Sequence, residues 1–403
     1  MRIGLFSDTY FPIINGISMS VFVLAKELRL KGHEVIIFTN DHDRALPEAG
    51  VVRFKAMKPP KKALSEFRIG RVSQSKIDKV TQFHCDIIHC HTEFTMGRLG
   101  KKVAQLKRIP LIYTYHTMYE DYVHYISKRF TKLTKRLAIA WGLRFASAAN
   151  VMIAPSEKVA QKFASYGYHG PLHIIPTGLD FDRFKRTSLE ASVLADLKNR
   201  FDKPFPHGLF VGRLSHEKNL MGLLEALKES VHAGRGWHCT FVGDGPARND
   251  CEDYVNKHRL EDWVSFVGMV DPQMTPYYYH LVDFFVSFSQ SETQGLTYIE
   301  ALAANTPVIV REDTHLIPLI VPHQSGYLFN TKEDFIKIIQ TIHNQPEHLT
   351  SCQPQALDYL QSFSSKTYAH KVEALYLSQV QSLTSATGTL ASSEDDFLKA
   401  KKY

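Results

Sequence analysis

The stretch "RIGLFSDTYFPIINGISMSVFVLAKELRLKGHEVIIFTN", residues 2–40, reads as a β-strand, a glycine-bearing loop, an amphipathic helix and a second strand. Both strands are apolar on both faces, which is the mark of a parallel sheet covered by helices on two sides. Similar units follow. "CDIIHCH" and "PLIYTYH" each precede a helical segment, and "NVMIAPS" adds another strand. Together they make one Rossmann-like domain.

A second series begins near residue 205 with the strands "HGLFVGRL", "CTFVGDGP", "VSFVG", "DFFVSFS", "TPVIV" and "GYLF", again separated by helical segments such as Leu220–Glu229. The pattern breaks at "IIPTGLDFDRFKRTSLEAS", where Pro176, Gly178 and polar residues interrupt it. The expected fold is therefore α/β, with two Rossmann-like doubly wound domains facing a cleft. The first domain is expected over 1–180 and the second over 181–382. A helix over Thr367–Gln381 has apolar positions enough to pack back on the first domain, and 383–403 reads as a mobile polar tail. A length of 403 residues, long for one core, agrees with two domains.

Composition excludes several classes. With 44% hydrophobic and 22% charged residues the chain is globular. Its apolar runs fall short of the roughly 18 residues that span a bilayer, and its N-terminus is strand-like, so a cytoplasmic protein is expected. Five cysteines (85, 90, 239, 251 and 352) form no C-x-x-C pair, which suits a reducing compartment. "HCDIIHCH", 84–91, holds metal donors, but on a strand His89 and His91 share one face while Cys90 points away, and no metal is expected there.

The net charge of +7 hides an asymmetry: residues 1–180 carry 27 Lys and Arg against 14 Asp and Glu, and residues 181–403 carry 21 against 27. The basic first half attracts phosphates, whether nucleotide or lipid. Nucleic-acid binding is not expected, because no aromatic stacking pattern accompanies the basic residues.

In such sheets ligands sit at the carboxyl ends of strands. In "FVGRLSHEKNL" a strand ends at Gly212, and Arg213 and Lys218 stand on the turn before a helix, a pairing of cations that suits a diphosphate. In "SETQGLTYIEALAANTPVIV", 291–310, Gly295 permits close backbone approach, and the amides of Gly295, Leu296 and Thr297 open a helix. Glu292 precedes the turn and Glu300 sits in the helix's first turn. A carboxylate that accepts from two vicinal hydroxyls holds a sugar or ribose. Thr297-Tyr298-Ile299-Glu300 also matches a capping box, so cap and ligand both stand as readings of Glu300.

The spacing Glu292-x7-Glu300, with "GRLSHEKN", "VGDGP" (242–246), "IPTGLD" (175–180) and the "NGI" loop after the first strand, resembles the retaining glycosyltransferases of family four, which have the GT-B fold. "SETQGLTYIEA" and "YTYHTMYEDY" resemble the branch that makes glycosyl-diacylglycerols. The resemblance implies transfer of a hexose, glucose from UDP-glucose, to diacylglycerol or a glycosyl-diacylglycerol. A polysaccharide or protein acceptor, or a non-catalytic GT-B partner subunit, is the alternative. Intact Glu292, Glu300, Arg213, Lys218 and His116 argue against a silent subunit.

The resemblance further implies that Arg213 and Lys218 hold the donor diphosphate with help from the Gly16 amide, and that Glu300 binds ribose and Glu292 the transferred sugar. The Gly295, Leu296 and Thr297 amides would line the donor, and His116 would bond its sugar; His91 is a weaker candidate. Asn305 stands where many relatives carry glycine. With two cations present no metal cofactor is needed, magnesium giving at most stimulation.

Finally, "ISKRFTKLTKRLAIAWGLRF", 126–145, aligns Ile126, Phe130, Leu133, Leu137 and Trp141 on one helical face and Lys128, Arg129, Lys132, Lys135 and Arg136 on another. Packing on the core with a solvated basic side is one reading. Docking on an anionic membrane is the other, favoured by the charge asymmetry and by "KPPKKALSEFRIGR", and it places the protein on the inner face of the cell membrane.

Overall fold

Alternation along the first strand sends Leu5 and Phe6 to opposite sides of a sheet, each into a separate buried cluster. The computed structural model describes residues 1–59, 68–118, 131–201, 203–289, 292–313, 316–317, 319–354 and 358–400, with side chains left aside over 131–133 and 384–400. In it the chain forms two units.

The first unit holds the described residues through Gly178 together with Ser365 onward. Its strands are β1 (Arg2–Ser7), β2 (Glu34–Asn40), β3 (Val51–Phe54), β4 (Ile87–Cys90), β5 (Leu111–Thr114), β6 (Val151–Ala154) and β7 (Leu172–Ile174). They form one parallel sheet in the order β3-β2-β1-β4-β5-β6-β7. Phe6, Phe38, Ile88, Tyr113 and Met152 fill one face. Ile3, Leu5, Ile37, Ile112 and Ile153 fill the other, where Tyr368, Val372 and Tyr376 of the last helix join them.

The second unit, Leu179–Ser364, holds β8 (His207–Val211), β9 (His238–Val242), β10 (Val264–Gly268), β11 (Phe284–Ser287), β12 (Val308–Arg311) and β13 (Gly326–Phe329). Their order is β10-β9-β8-β11-β12-β13, again all parallel. Phe210 enters one cluster with Trp237 and Phe241, and Leu209 enters the other with Phe285 and Tyr298.

Each sheet reverses its strand order once, between β1 and β4 in the first unit and between β8 and β11 in the second. At such a point the loops leaving neighbouring strands run to opposite sides and open a crevice. The loops after β1, β4, β8 and β11 are therefore the ones placed to hold a ligand.

The last helix starts at Ser365 and its backbone continues to Ala400, where a polar tail was expected. Over 383–400 no proline stops it, and its alanines and leucines are good helix formers. The helix sits with the first unit from its first residue, the domain on which its apolar positions were expected to pack. Among the described residues no helix is long and apolar enough to cross a membrane.

Candidate active site

The second unit's crevice is built by close approach of main chains. A Cβ on Gly243, at φ +135°, would lie 1.9 Å from the Gly212 carbonyl oxygen, so only glycine lets the end of β9 pass under the loop after β8. That loop carries Arg213, which is half-buried and whose backbone carbonyl accepts from the Ser215 hydroxyl. It then makes a single 3-10 turn, His216–Lys218, before the Leu220–His232 helix. Lys218 reaches across the switch point: its Nζ donates to Glu292 Oε1 at 2.5 Å, with the two side chains 19% and 16% exposed. The structure thus brings Lys218 and Glu292 together, and Arg213 opens the same loop.

Gly295, at φ +75°, is the N-cap of the helix Leu296–Ala303, so the amides of Leu296 and Thr297 form its first turn with no capping side chain. This corrects the capping-box reading. Thr297 lies inside the helix and Glu300 in its second turn, because the left-handed glycine takes the cap position that Thr297 would need. Glu300 instead accepts from the Tyr279 hydroxyl at 2.8 Å, a hydroxyl that also lies 3.2 Å from the Thr297 carbonyl oxygen. Burial raises the Glu300 carboxyl to about 7, against the opposing pull of the Tyr279 hydrogen bond and of Arg183. Tyr279 was not found from sequence: it sits 21 positions before Glu300 on another element, in a tyrosine run that carries no motif.

In the first unit Asn15 caps the helix Gly16–Leu30 through a capping box with Ser18 and leaves the Gly16 amide at the helix entrance, in the loop after β1. His91 follows β4 directly, and His116 lies two residues beyond β5. His91 Nδ1 is 3.0 Å from His116 Nε2, and the two rings lie near-parallel, edge to edge, with centroids 5.2 Å apart. The His89 ring packs on that of His91 with centroids 4.1 Å apart and is fixed at both nitrogens, by Tyr376 Oη and Thr114 Oγ1, each at 2.6 Å. Burial lowers His89 and His116 to about 3 and His91 well below its usual range, so all three rings are neutral at pH 7. Sequence reasoning placed His91 and His116 at strand ends; it missed Tyr376, which joins them from 287 residues beyond His89.

Among the described residues no group of three or more His, Cys, Asp or Glu is arranged to hold a metal ion. Lys128 and Arg129 lie outside the described residues, as does the side chain of Lys132. Lys135 and Arg136 are exposed on the helix Thr131–Ala146, and so are Leu137 at 60% and Trp141 at 47%. Packing of Leu137 and Trp141 on the core is thereby excluded; the helix buries Gly142, Phe145 and Ala146 instead.

Comparison with known proteins gives a consistent set of likenesses. Residues 14–183 match the family model described as Glycosyltransferase Family 4, and residues 196–358 that of Glycosyl transferases group 1. The chain is 32% identical to the alpha-monoglucosyldiacylglycerol synthase of Acholeplasma laidlawii, covering 94% of this chain and 97% of that protein. It is 34% identical to the alpha-monoglucosyldiacylglycerol synthase of Streptococcus pneumoniae, covering 94% and 86%. In fold it resembles the Anabaena protein HepE solved with UDP and glucose (TM-score 0.71, 18% identity, 93% and 98% covered). It also resembles sucrose-phosphate synthase of Thermosynechococcus elongatus (TM-score 0.73, 21% identity, 96% and 99% covered).

Proposed function

Because the chain belongs to the glycosyltransferases of family four, built on the GT-B fold, we propose that it moves a glucosyl group from UDP-glucose to diacylglycerol or a glycosyl-diacylglycerol, with retention at the anomeric carbon. The observation that carries this reading is the likeness over 94% of the chain to two alpha-monoglucosyldiacylglycerol synthases. The alpha in the relatives' names supports retention, since UDP-glucose is itself α-linked at the carbon that is transferred.

Residues of each unit suit this chemistry. As the bond to the sugar breaks, negative charge grows on the diphosphate, and the cations Arg213 and Lys218 are assigned to it. Glu300 is assigned to the ribose hydroxyls and Glu292 to the transferred sugar. The amides at Gly295, Leu296 and Thr297 suit the donor's oxygens. His116 is neutral and suits a hydrogen bond to the sugar in place of proton abstraction.

A lipid acceptor requires access to a membrane surface. The exposed Leu137 and Trp141 beside Lys135 and Arg136 support a peripheral position on the inner face of the cell membrane. No resident metal is invoked, so turnover is expected to survive EDTA, with magnesium giving modest stimulation. Complete loss restored by one specific divalent ion would refute this.

The decisive experiment is incubation with labelled nucleotide-sugars and mixed vesicles of diacylglycerol and phosphatidylglycerol, followed by chromatography and proton NMR of the new anomeric centre. An α-linked glucosyl lipid formed from UDP-glucose is expected. Label found only in polymer or protein would move the acceptor to those classes, and a β-linked product would overturn retention.

A further inference from the structure

We propose that His91 is a positioning residue that fixes the tautomer of His116, so that His116 presents Nδ1–H as a hydrogen-bond donor outward from the end of β5. The proposal rests on the reading of His116 as a sugar-binding residue.

The argument is one of proton placement. The 3.0 Å contact between His91 Nδ1 and His116 Nε2 needs one proton between two neutral rings. His91 is 1% exposed, and its other nitrogen, Nε2, has no partner among the described residues. If the proton of His91 sat on Nε2, a buried N–H would point at nothing, which folded proteins avoid more strictly than a buried lone pair. The proton therefore sits on Nδ1 and is donated to His116 Nε2. A neutral imidazole carries one N–H, so His116 must carry its own on Nδ1.

Packing holds the arrangement in place. The His91 ring packs on His89, with centroids 4.1 Å apart, and meets His116 edge to edge through the hydrogen bond. Tyr376 and Thr114 prevent His89 from turning. His116 itself is half-buried, and its Nδ1 has no partner among the described residues, so the free donor is the atom left to meet a ligand. A histidine locked in this way is a fixed donor to a hydroxyl or ring oxygen and a poor acceptor. It can discriminate among sugars by where they place an acceptor, as groups built for one hydrogen-bond partner do.

The test is nitrogen-15 NMR of the whole protein labelled at histidine, with the His116 signals assigned by their loss in His116→Gln. In the unsubstituted protein Nδ1 of His116 should resonate as a protonated nitrogen and Nε2 as an unprotonated one. His91→Leu, of similar volume and without a donor, should shift His116 toward the Nε2–H form. It should also lower kcat about tenfold, the scale of losing one well-placed hydrogen bond, while UDP affinity in calorimetry stays unchanged. His91→Asn, whose amide N–H can stand where Nδ1–H stood, should restore most of both. An Nε2–H tautomer in the unsubstituted protein, or an Nδ1–H tautomer unmoved by His91→Leu, overturns the proposal. A tautomer that moves while turnover with every nucleotide-sugar stays constant overturns instead the assignment of His116 to the sugar.

Discussion

Assigned to the ribose, Glu300 would couple donor binding to pH. Its carboxyl, raised from 4.5 to about 7 by burial, must be ionised to accept from two hydroxyls, so UDP affinity should climb as pH rises through 7 and level off above it. Calorimetry between pH 6 and 8 checks this, and Glu300→Gln should flatten the profile. The stability effect has the opposite sign. Between about 4.5 and 7 the folded protein holds this proton more tightly than the unfolded chain does, so the carboxyl's contribution is fully present below 4.5 and lost as pH rises through 7. Glu300→Gln should accordingly melt no lower than the unsubstituted protein at pH 8, and a lower melting temperature there would count against a proton held by burial. Arg213 makes a second prediction at this scale: Arg213→Ala should lower kcat on the order of 100-fold, as for one electrostatic stabiliser, and unchanged turnover would remove it from the site. The loops that carry Arg213 and Lys218, and Glu292 and Glu300, could be picked out in the sequence because Gly212 and Gly295 mark the turns that follow β8 and β11. What Glu300 touches was not legible, because Gly295 displaces Thr297 from the cap and the replacement partner, Tyr279, arrives from another helix.

At the scale of elements, the helix Thr131–Ala146 shows where periodicity reaches its limit. The sequence gives two faces for it but cannot say which of them meets the core. Gly142, Phe145 and Ala146 are turned inward, and Leu137 and Trp141 remain outside among Lys135 and Arg136. An exposed tryptophan and leucine beside cations favour an interface that is apolar below and anionic above. Sedimentation with phosphatidylglycerol vesicles should carry the protein down at low salt and release it at high salt. Lys135→Glu with Trp141→Ser should abolish the sedimentation and leave circular dichroism unchanged. Persistent sedimentation of that double variant would assign the membrane contact to another element. The strands needed no such arbitration: β4, β5 and β6 are buried along their whole length, as their unbroken apolar runs foretold.

At the scale of the molecule, the last helix is the part of the fold hardest to read from sequence. Its apolar spacing announced a docking helix, but nothing local names the surface that receives it. That surface is the first sheet's own core, where Tyr368, Ala369, Val372, Leu375 and Tyr376 are buried and Glu373 pairs with Lys31 and His33. Burial of a large apolar side chain contributes roughly 1.5–3 kcal/mol, so losing several exceeds the margin of an ordinary domain. Ending the chain after Ser364 should therefore unfold the first unit and spare the second; limited proteolysis should leave a resistant fragment within 179–364, and equal resistance of both units would refute it. The same feature sets a timetable for synthesis. Among the described residues the second unit is one continuous stretch, complete when Ser364 has left the ribosome, whereas the first waits for residues beyond it. At about 5–20 residues per second the intervening stretch takes roughly 10–40 seconds to make. For that interval the nascent first unit has an open sheet face on Ile3, Leu5 and Ile37, so the portion translated first is the last to close, and chaperones would find their binding site there.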